Sequence, residues 1–174
     1  MKVYLAGASA EIARCEAFRD EMVASGYSIT SDWCALVREA GAANDGLDDT
    51  TRRAAVTAAE DGVRACDLFV FLLPGLARPY GEYRTTIGAW LELEMAKRGS
   101  KEILLVGEAP SRTVFTVGLD CIAEDHDALM WLRGRLRGAQ LKIAAGVDSP
   151  TGPAVATNPF AGLNGPAAAD SRSG

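Results

Sequence analysis

Histidine is almost missing from this chain: His126 is the only one in 174 residues. One imidazole cannot build a histidine-based metal centre. Cys15, Cys34, Cys66 and Cys121 form no Cys-x-x-Cys pair, which argues against a zinc site or a disulfide framework and suits a reducing, cytoplasmic setting. Long apolar runs are lacking too. The longest, Leu68 to Leu73, falls far short of the roughly 20 residues that a spanning helix needs. Val3 to Ala10 is too brief for a signal peptide, and a helical pattern follows it at once. Positive charge is scarce: 18 Lys+Arg stand against 23 Asp+Glu, a net charge of −5. That excludes a general nucleic-acid binder with a basic face, while a local anion pocket stays open. What remains, at 48% hydrophobic and 24% charged, is the balance of a soluble globular domain with some length to spare.

Along the chain, apolar strands alternate with helical patterns. Lys2 to Ala6 reads as a strand ending at Gly7, and Ser9 to Ser25 as a helix with Ile12, Ala13, Ala17, Met22 and Val23 apolar, closed by Gly26. Tyr27 to Thr30 is a short second strand leading to Trp33, and Glu39 to Asp49 has the Gly, Asn and Asp content of a loop. Thr50 to Cys66 is a helix with Val56, Ala59 and Val63 on one face. Leu68 to Leu73 is a strand of the kind buried on both faces of a parallel sheet. After the loop Pro74 to Thr85 come a helix over Thr86 to Arg98, a strand over Glu102 to Val106, a fifth strand over Thr113 to Val117 and a last helix over His126 to Arg137. This order predicts a three-layer α/β fold, flavodoxin-like or Rossmann-like, with a parallel five-stranded sheet whose ligands bind at the carboxyl ends of its strands. The domain spans 1–137. From 138 to 174, Gly, Ala, Pro, Ser and Asn dominate without a periodic apolar face, as in a flexible, disordered tail.

The helix over Thr86 to Arg98 carries an anomaly. At about 100° per residue, Gly88 and Ala96 fall roughly 40° to either side of Glu92, with Ala89 and Met95 about 60° away. Trp90, Glu94, Lys97 and Arg98 lie opposite. Glu92 is therefore centred on a face of small and apolar side chains. A carboxylate buried there needs a partner, a proton or a pocket. The plain alternative is a core glutamate satisfied by backbone N–H groups.

Gly88-Ala-Trp-Leu-Glu92-Leu-Glu-Met-Ala96 resembles the Gly-Thr-x-x-Glu-Leu-Gly-x-Ala motif of the nucleoside 2-deoxyribosyltransferase family. Lys2-Val-Tyr4-Leu-Ala-Gly7 resembles that family's first strand and glycine turn, and Gly26 to Trp33 its second strand. Val63-Arg-Ala-Cys-Asp67 is similar to its Ile-x-x-Ala-Asp stretch, and Val114-Phe115 to its Asn-Val-Phe. The resemblance runs in order from residue 1 to about 137. It implies that Glu92 attacks the anomeric carbon of a deoxyribosyl group and forms a covalent glycosyl-enzyme, with Tyr4 orienting the glutamate. Transfer follows when a base attacks that intermediate, hydrolysis when water does. It implies no metal and no cofactor, a small-molecule nucleoside or nucleotide as partner, and a homo-oligomer.

The departures are specific. Eight positions before Asp67, where the family carries an aspartate that assists the departing base, this chain has Ala59. Glu60, next in sequence and near the Val56 and Val63 face, is the better substitute than Asp61; the plain alternative is a solvated residue. Ala89 and Glu94 replace the motif's Thr and second Gly. Six positions before Glu92, deoxyribosyltransferases tend to carry an acid, and related deoxynucleotide N-hydrolases a serine that binds the 5′-phosphate; here Thr86 is present. A hydroxyl at a helix N-terminus, with Arg78 and Arg84 before it, suits an anion, and equally an ordinary N-cap beside solvated arginines. The hydrolases' Ser and Arg after the first glycine turn correspond to Ala8 and Ala10, although Ser9 and Arg14 lie close by. Trp33 is placed to stack on a base or to fill the core. Asp67 reads as a cap or turn residue rather than a catalytic one. The candidate set is thus Glu92, Tyr4 and Glu60 for chemistry, with Gly7, Ser9, Trp33, Thr86, Gly88, Arg78 and Arg84 for substrate. The alternatives are a nucleoside 5′-monophosphate N-glycosidase and a non-catalytic nucleotide-binding or sensing module.

Overall fold

The computed structural model describes residues 1–40, 48–75, 87–108, 116 and 118–144. Among these, five strands form one parallel sheet: β1 (Lys2–Ala6), β2 (Ser28–Ile29), β3 (Leu68–Leu72), β4 (Glu102–Val106) and β5 (Asp120–Ile122), in the order β2-β1-β3-β4-β5. The helices are α1 (Ile12–Ala24), preceded by a 3-10 turn over Ser9–Glu11, then α2 (Trp33–Ala40), α3 (Asp49–Ala65), α4 (Ile87–Arg98) and α5 (Asp125–Ala144).

The sheet takes its layers from side-chain alternation. Val3, Leu5, Leu68, Val70, Leu72, Leu104 and Val106 pack with Cys15, Phe18 and Met22 of α1 and Ala128 and Leu132 of α5. Tyr4, Ala6, Phe69, Phe71, Ile103 and Leu105 face the other way, onto Val63 of α3 and Ala89, Leu93 and Ala96 of α4. The fold is therefore the predicted three-layer α/β arrangement. The chain winds from β1 out to β2, then returns across β1 to β3, so the switch of direction lies between β1 and β3. Tyr4 and Phe69 are register partners across that seam.

Local readings shift in several places. The buried face of α1 is Cys15, Phe18 and Met22, whereas Ala13, Ala17 and Val23 are exposed. On α3 the inward residues are Gly62 and Val63, and Val56 is exposed. The helix α2 was not foreseen, because Trp33, with its loop-like approach, hid a one-sided helical pattern. The loop read over Glu39 to Asp49 lies largely outside the described residues, but Asp48 accepts a 2.7 Å bond from the Thr51 N–H and so caps α3. The strand β5 is Asp120–Ile122; the strand expected over Thr113 to Val117 lies outside the described residues, save Thr116, which is in a turn. A strand this short and exposed carries little apolar signal, so the sequence pattern does not mark β5. The last helix starts at Asp125 and continues to Ala144, past the boundary drawn at 137; residues 145–174 of the expected tail lie outside the described residues. Asp67 does hold a junction: its carboxylate accepts the Lys2 N–H at 2.8 Å, and its own N–H bonds the Lys2 carbonyl at 2.9 Å.

A single arginine fastens the carboxyl ends of the strands. Arg14 makes a two-point pair with Asp125 at 2.7 and 2.5 Å, bonds Glu11 at 3.0 Å and donates to the Leu73 carbonyl at 2.7 Å. Glu11 in turn accepts the Gly75 N–H at 3.0 Å. These half-buried bonds hold α1, α5 and the end of β3 to one another. Arg14→Ala should cost about 2 kcal/mol, because charged donors to a carbonyl and carboxylates are lost together. The measurement is urea unfolding, with the midpoint lowered and the slope unchanged. A loss within about 0.5 kcal/mol would mark the node as a set of solvated ion pairs.

Candidate functional site

The helix α4 presents Ala89, Leu93 and Ala96 to the core, all buried. Glu92 stands at the edge of this face rather than at its centre, and is partly buried. On its far side Gly88 is exposed, with open space where a Cβ would point. Leu91 is exposed, and Trp90, read from the sequence as outward, instead packs edge-on against Phe71 with ring centroids 5.0 Å apart. Glu92 thus has a packed neighbour face and an open one.

Across from it, on β1, stands Tyr4. Its side chain is wholly buried and stacks on Phe69 with centroids 5.6 Å apart and an interplanar angle of 6°. Its hydroxyl has no hydrogen-bond partner among the described residues. The group it approaches is the Glu92 carboxyl, near enough for each to alter the other's proton affinity. The two therefore face one another with the bond not closed. Burial pushes the Glu92 carboxyl above its ordinary value of 4.5, and the Tyr4 hydroxyl pulls it partly back. Burial first, and the Glu92 charge second, hold the Tyr4 phenol far above its ordinary value, so it stays a donor across the neutral range.

The ring of Tyr4 is set by a residue that sequence reasoning passed over. Gly62 of α3 is buried, and a Cβ there would lie 2.9 Å from Cδ2 and Cε2 of Tyr4. The signal was available: an isolated glycine inside a helix costs about 1 kcal/mol relative to alanine and usually has a packing reason.

The remaining candidates sit as follows. Ala59 packs partly buried against the Tyr4-side core. Glu60, partly buried, is bonded to Arg64 at 2.9 Å, and the exposed Asp61 to the same arginine at 2.8 Å. Gly7 lies where β1 ends, and a Cβ on it would come within 2.5 Å of the Cys15 sulfur, so its lack of a side chain serves packing. Ser9 opens the 3-10 turn beyond it, half-buried. Trp33 donates its indole N–H to the Leu5 carbonyl at 2.7 Å and packs on the α1-side core. Arg78, Arg84 and Thr86 lie outside the described residues. A cavity of about 340 Å³ lies on α4's outer side, lined by Ile87, Trp90, Leu91, Leu93, Glu94 and Lys97, and does not include Glu92. All four cysteines are free thiols, and among the described residues no three His, Cys, Asp or Glu are grouped to hold a metal ion. No helix among them is long and apolar enough to cross a membrane.

The structure thus brings Tyr4, Gly62 and Glu92 together at the β1/β3 seam and leaves Glu60 in an ion pair. No family model matches the chain, and no curated protein matches it.

The raised Glu92 value has a stability consequence. The folded state disfavours the charged form, so as pH rises from the ordinary carboxylate value through the raised one, Glu92 progressively destabilises the fold. Glu92→Gln should therefore melt higher than the parent at pH 7, and the difference should vanish below the ordinary carboxylate range. Thermal unfolding of both proteins across pH measures this; a parent as stable as the variant at pH 7 would contradict it.

Proposed function

We propose that this chain is a nucleoside 2-deoxyribosyltransferase-like enzyme that cleaves or exchanges the N-glycosidic bond of a (deoxy)nucleoside through a covalent glycosyl-glutamate. The observation that supports it most is the pairing of a partly buried Glu92 with the unpartnered, buried hydroxyl of Tyr4. Positions alone made these two residues candidates through the family resemblance. Their meeting in space is independent support.

In this reading a Glu92 oxygen bonds to the anomeric carbon as the bond to the base nitrogen breaks. The bonding pair leaves with the base, which takes up a proton as it departs. A second base or a water then attacks the same carbon, and the carboxylate is released. Tyr4 offers the carboxylate a single donor as it reacts and leaves its charge in place. Glu60, paired with Arg64 at 2.9 Å, is this reading's candidate source of the base's proton, and solvent is the other. The nucleoside is favoured over the 5′-monophosphate because Arg14, which follows the first glycine turn in sequence, is already bound by Glu11, Asp125 and the Leu73 carbonyl. A cytoplasmic homo-oligomer belongs to the same proposal.

Chromatographic detection of free base, with a panel of deoxynucleosides and 5′-monophosphates in the presence and absence of an acceptor base, tests it. New nucleoside formed only with the acceptor establishes transfer. Free base from nucleosides alone establishes hydrolysis, and free base from monophosphates alone replaces the nucleoside as substrate. Glu92→Gln should lower the rate by at least about a thousandfold, as loss of a covalent nucleophile does. Undiminished activity in that variant would end the mechanism. Ligand-dependent thermal shifts without product would favour a sensing module.

A further inference from the structure

We propose that Gly62, which has no functional group, sets the approach of the Tyr4 hydroxyl to Glu92 and is a positioning residue of this site. The inference rests on the Tyr4–Glu92 pairing used in the proposed function, and reaches a residue on a third element.

The geometry is close on two sides. A Cβ at position 62 would lie 2.9 Å from Tyr4 Cδ2 and Cε2, and 2.8 Å from the Ser31 Cβ. Real Cβ atoms essentially never come within 3.0 Å of such neighbours, so a side chain here must displace the ring, Ser31 or α3 itself. The ring has little freedom to yield, being wholly buried and stacked on Phe69. The lever is the length of the phenol, so a small shift where Gly62 touches the ring moves the hydroxyl relative to Glu92.

The surroundings of Glu92 make this effect readable. From β1 it meets Tyr4. On α3, Glu60 and Asp61 are both bonded to Arg64, and Cys66, just beyond that helix, acts on Tyr4. The strands β3 and β4 present Phe69, Phe71, Ile103 and Leu105 on this face. Among the described residues, Tyr4 is the polar group that acts on the Glu92 carboxyl.

The test is the titration of the Glu92 carboxyl carbon by nuclear magnetic resonance in protein labelled at glutamate, the signal being assigned by its absence in Glu92→Gln. In Tyr4→Phe the midpoint should rise, because the donor that draws the carboxyl's proton affinity down is removed. Gly62→Ala should raise it in the same direction, and Tyr4→Phe/Gly62→Ala no further than Tyr4→Phe alone. Ser31→Gly/Gly62→Ala removes the second close contact and isolates the one to Tyr4, which keeps the test decisive if Gly62→Ala fails to fold. An unchanged midpoint in that pair, or shifts that simply add in the Tyr4 double variant, would overturn the inference. Because the readout is a titration, intact coupling with no release of base would defeat the proposed reaction and leave Gly62's role standing.

Discussion

The structure depends on a central strand that tolerates water on neither face. Leu68, Val70 and Leu72 of β3 point into the α1 and α5 layer, while Phe69 and Phe71 point into the α3 and α4 layer. Such a strand is stable only with neighbours on both edges and helices over both faces. β1 and β4 supply the edges, and the helices follow from the right-handed connections between parallel strands. The reversal of winding between β1 and β3 is a consequence of this requirement. It places Tyr4 beside Phe69 at the one seam where the chain's two directions of growth part.

Around that seam, packing alone does not explain the residues present. Phenylalanine at position 4 would stack on Phe69 equally well without burying an unpaired hydroxyl, and a neutral residue at 92 would avoid desolvating a carboxylate. Two polar groups that each disfavour the folded state persist within reach of each other. Local rules that are broken together, at one place, mark a functional site more strongly than either break alone. The helix-interior glycine at 62 is a third broken rule in the same place, and its contact with the Tyr4 ring links it to the other two.

Much of the fold was legible in the sequence because its elements carry strong signals. Leu68 to Leu72 and Glu102 to Val106 are continuous apolar runs, and α3 and α4 end within a residue of where their patterns stop. What was not legible lacked such a signal: the three-residue β5, the eight-residue α2 and the outward turn of Val56. Helical periodicity identifies a face but not which edge of it is covered, and that depends on the neighbouring helix. For the same reason Glu92 was read at the centre of the apolar face and stands at its border, while Trp90 was read as outward and packs on Phe71. The contacts of Tyr4 with Gly62 and of Arg14 with Asp125 join distant positions; a helix-interior glycine signals a close neighbour, but one sequence without covariation does not say which residue that neighbour is.

The nature of the partner that Glu92 meets bears on its chemistry. A lysine or arginine beside it would fix its rotamer firmly, but would also lower its proton affinity and draw off the charge that a nucleophile uses. A phenol supplies one donor and no formal charge, and burial favours its protonated form. Burial acts oppositely on reactivity, raising the proton affinity of the Glu92 carboxylate and, with it, the carboxylate's strength toward an electrophilic carbon. In the proposed reaction, orientation by Tyr4 and activation by desolvation would therefore be compatible in a way that orientation by a cation would not. Meanwhile Arg14 is held on the opposite side of the sheet by Glu11 and Asp125. From there it steadies the end of β3 through the Leu73 carbonyl, so the sheet divides the work: charge pairs anchor one side, and the other keeps a carboxylate without a counterion among the described residues.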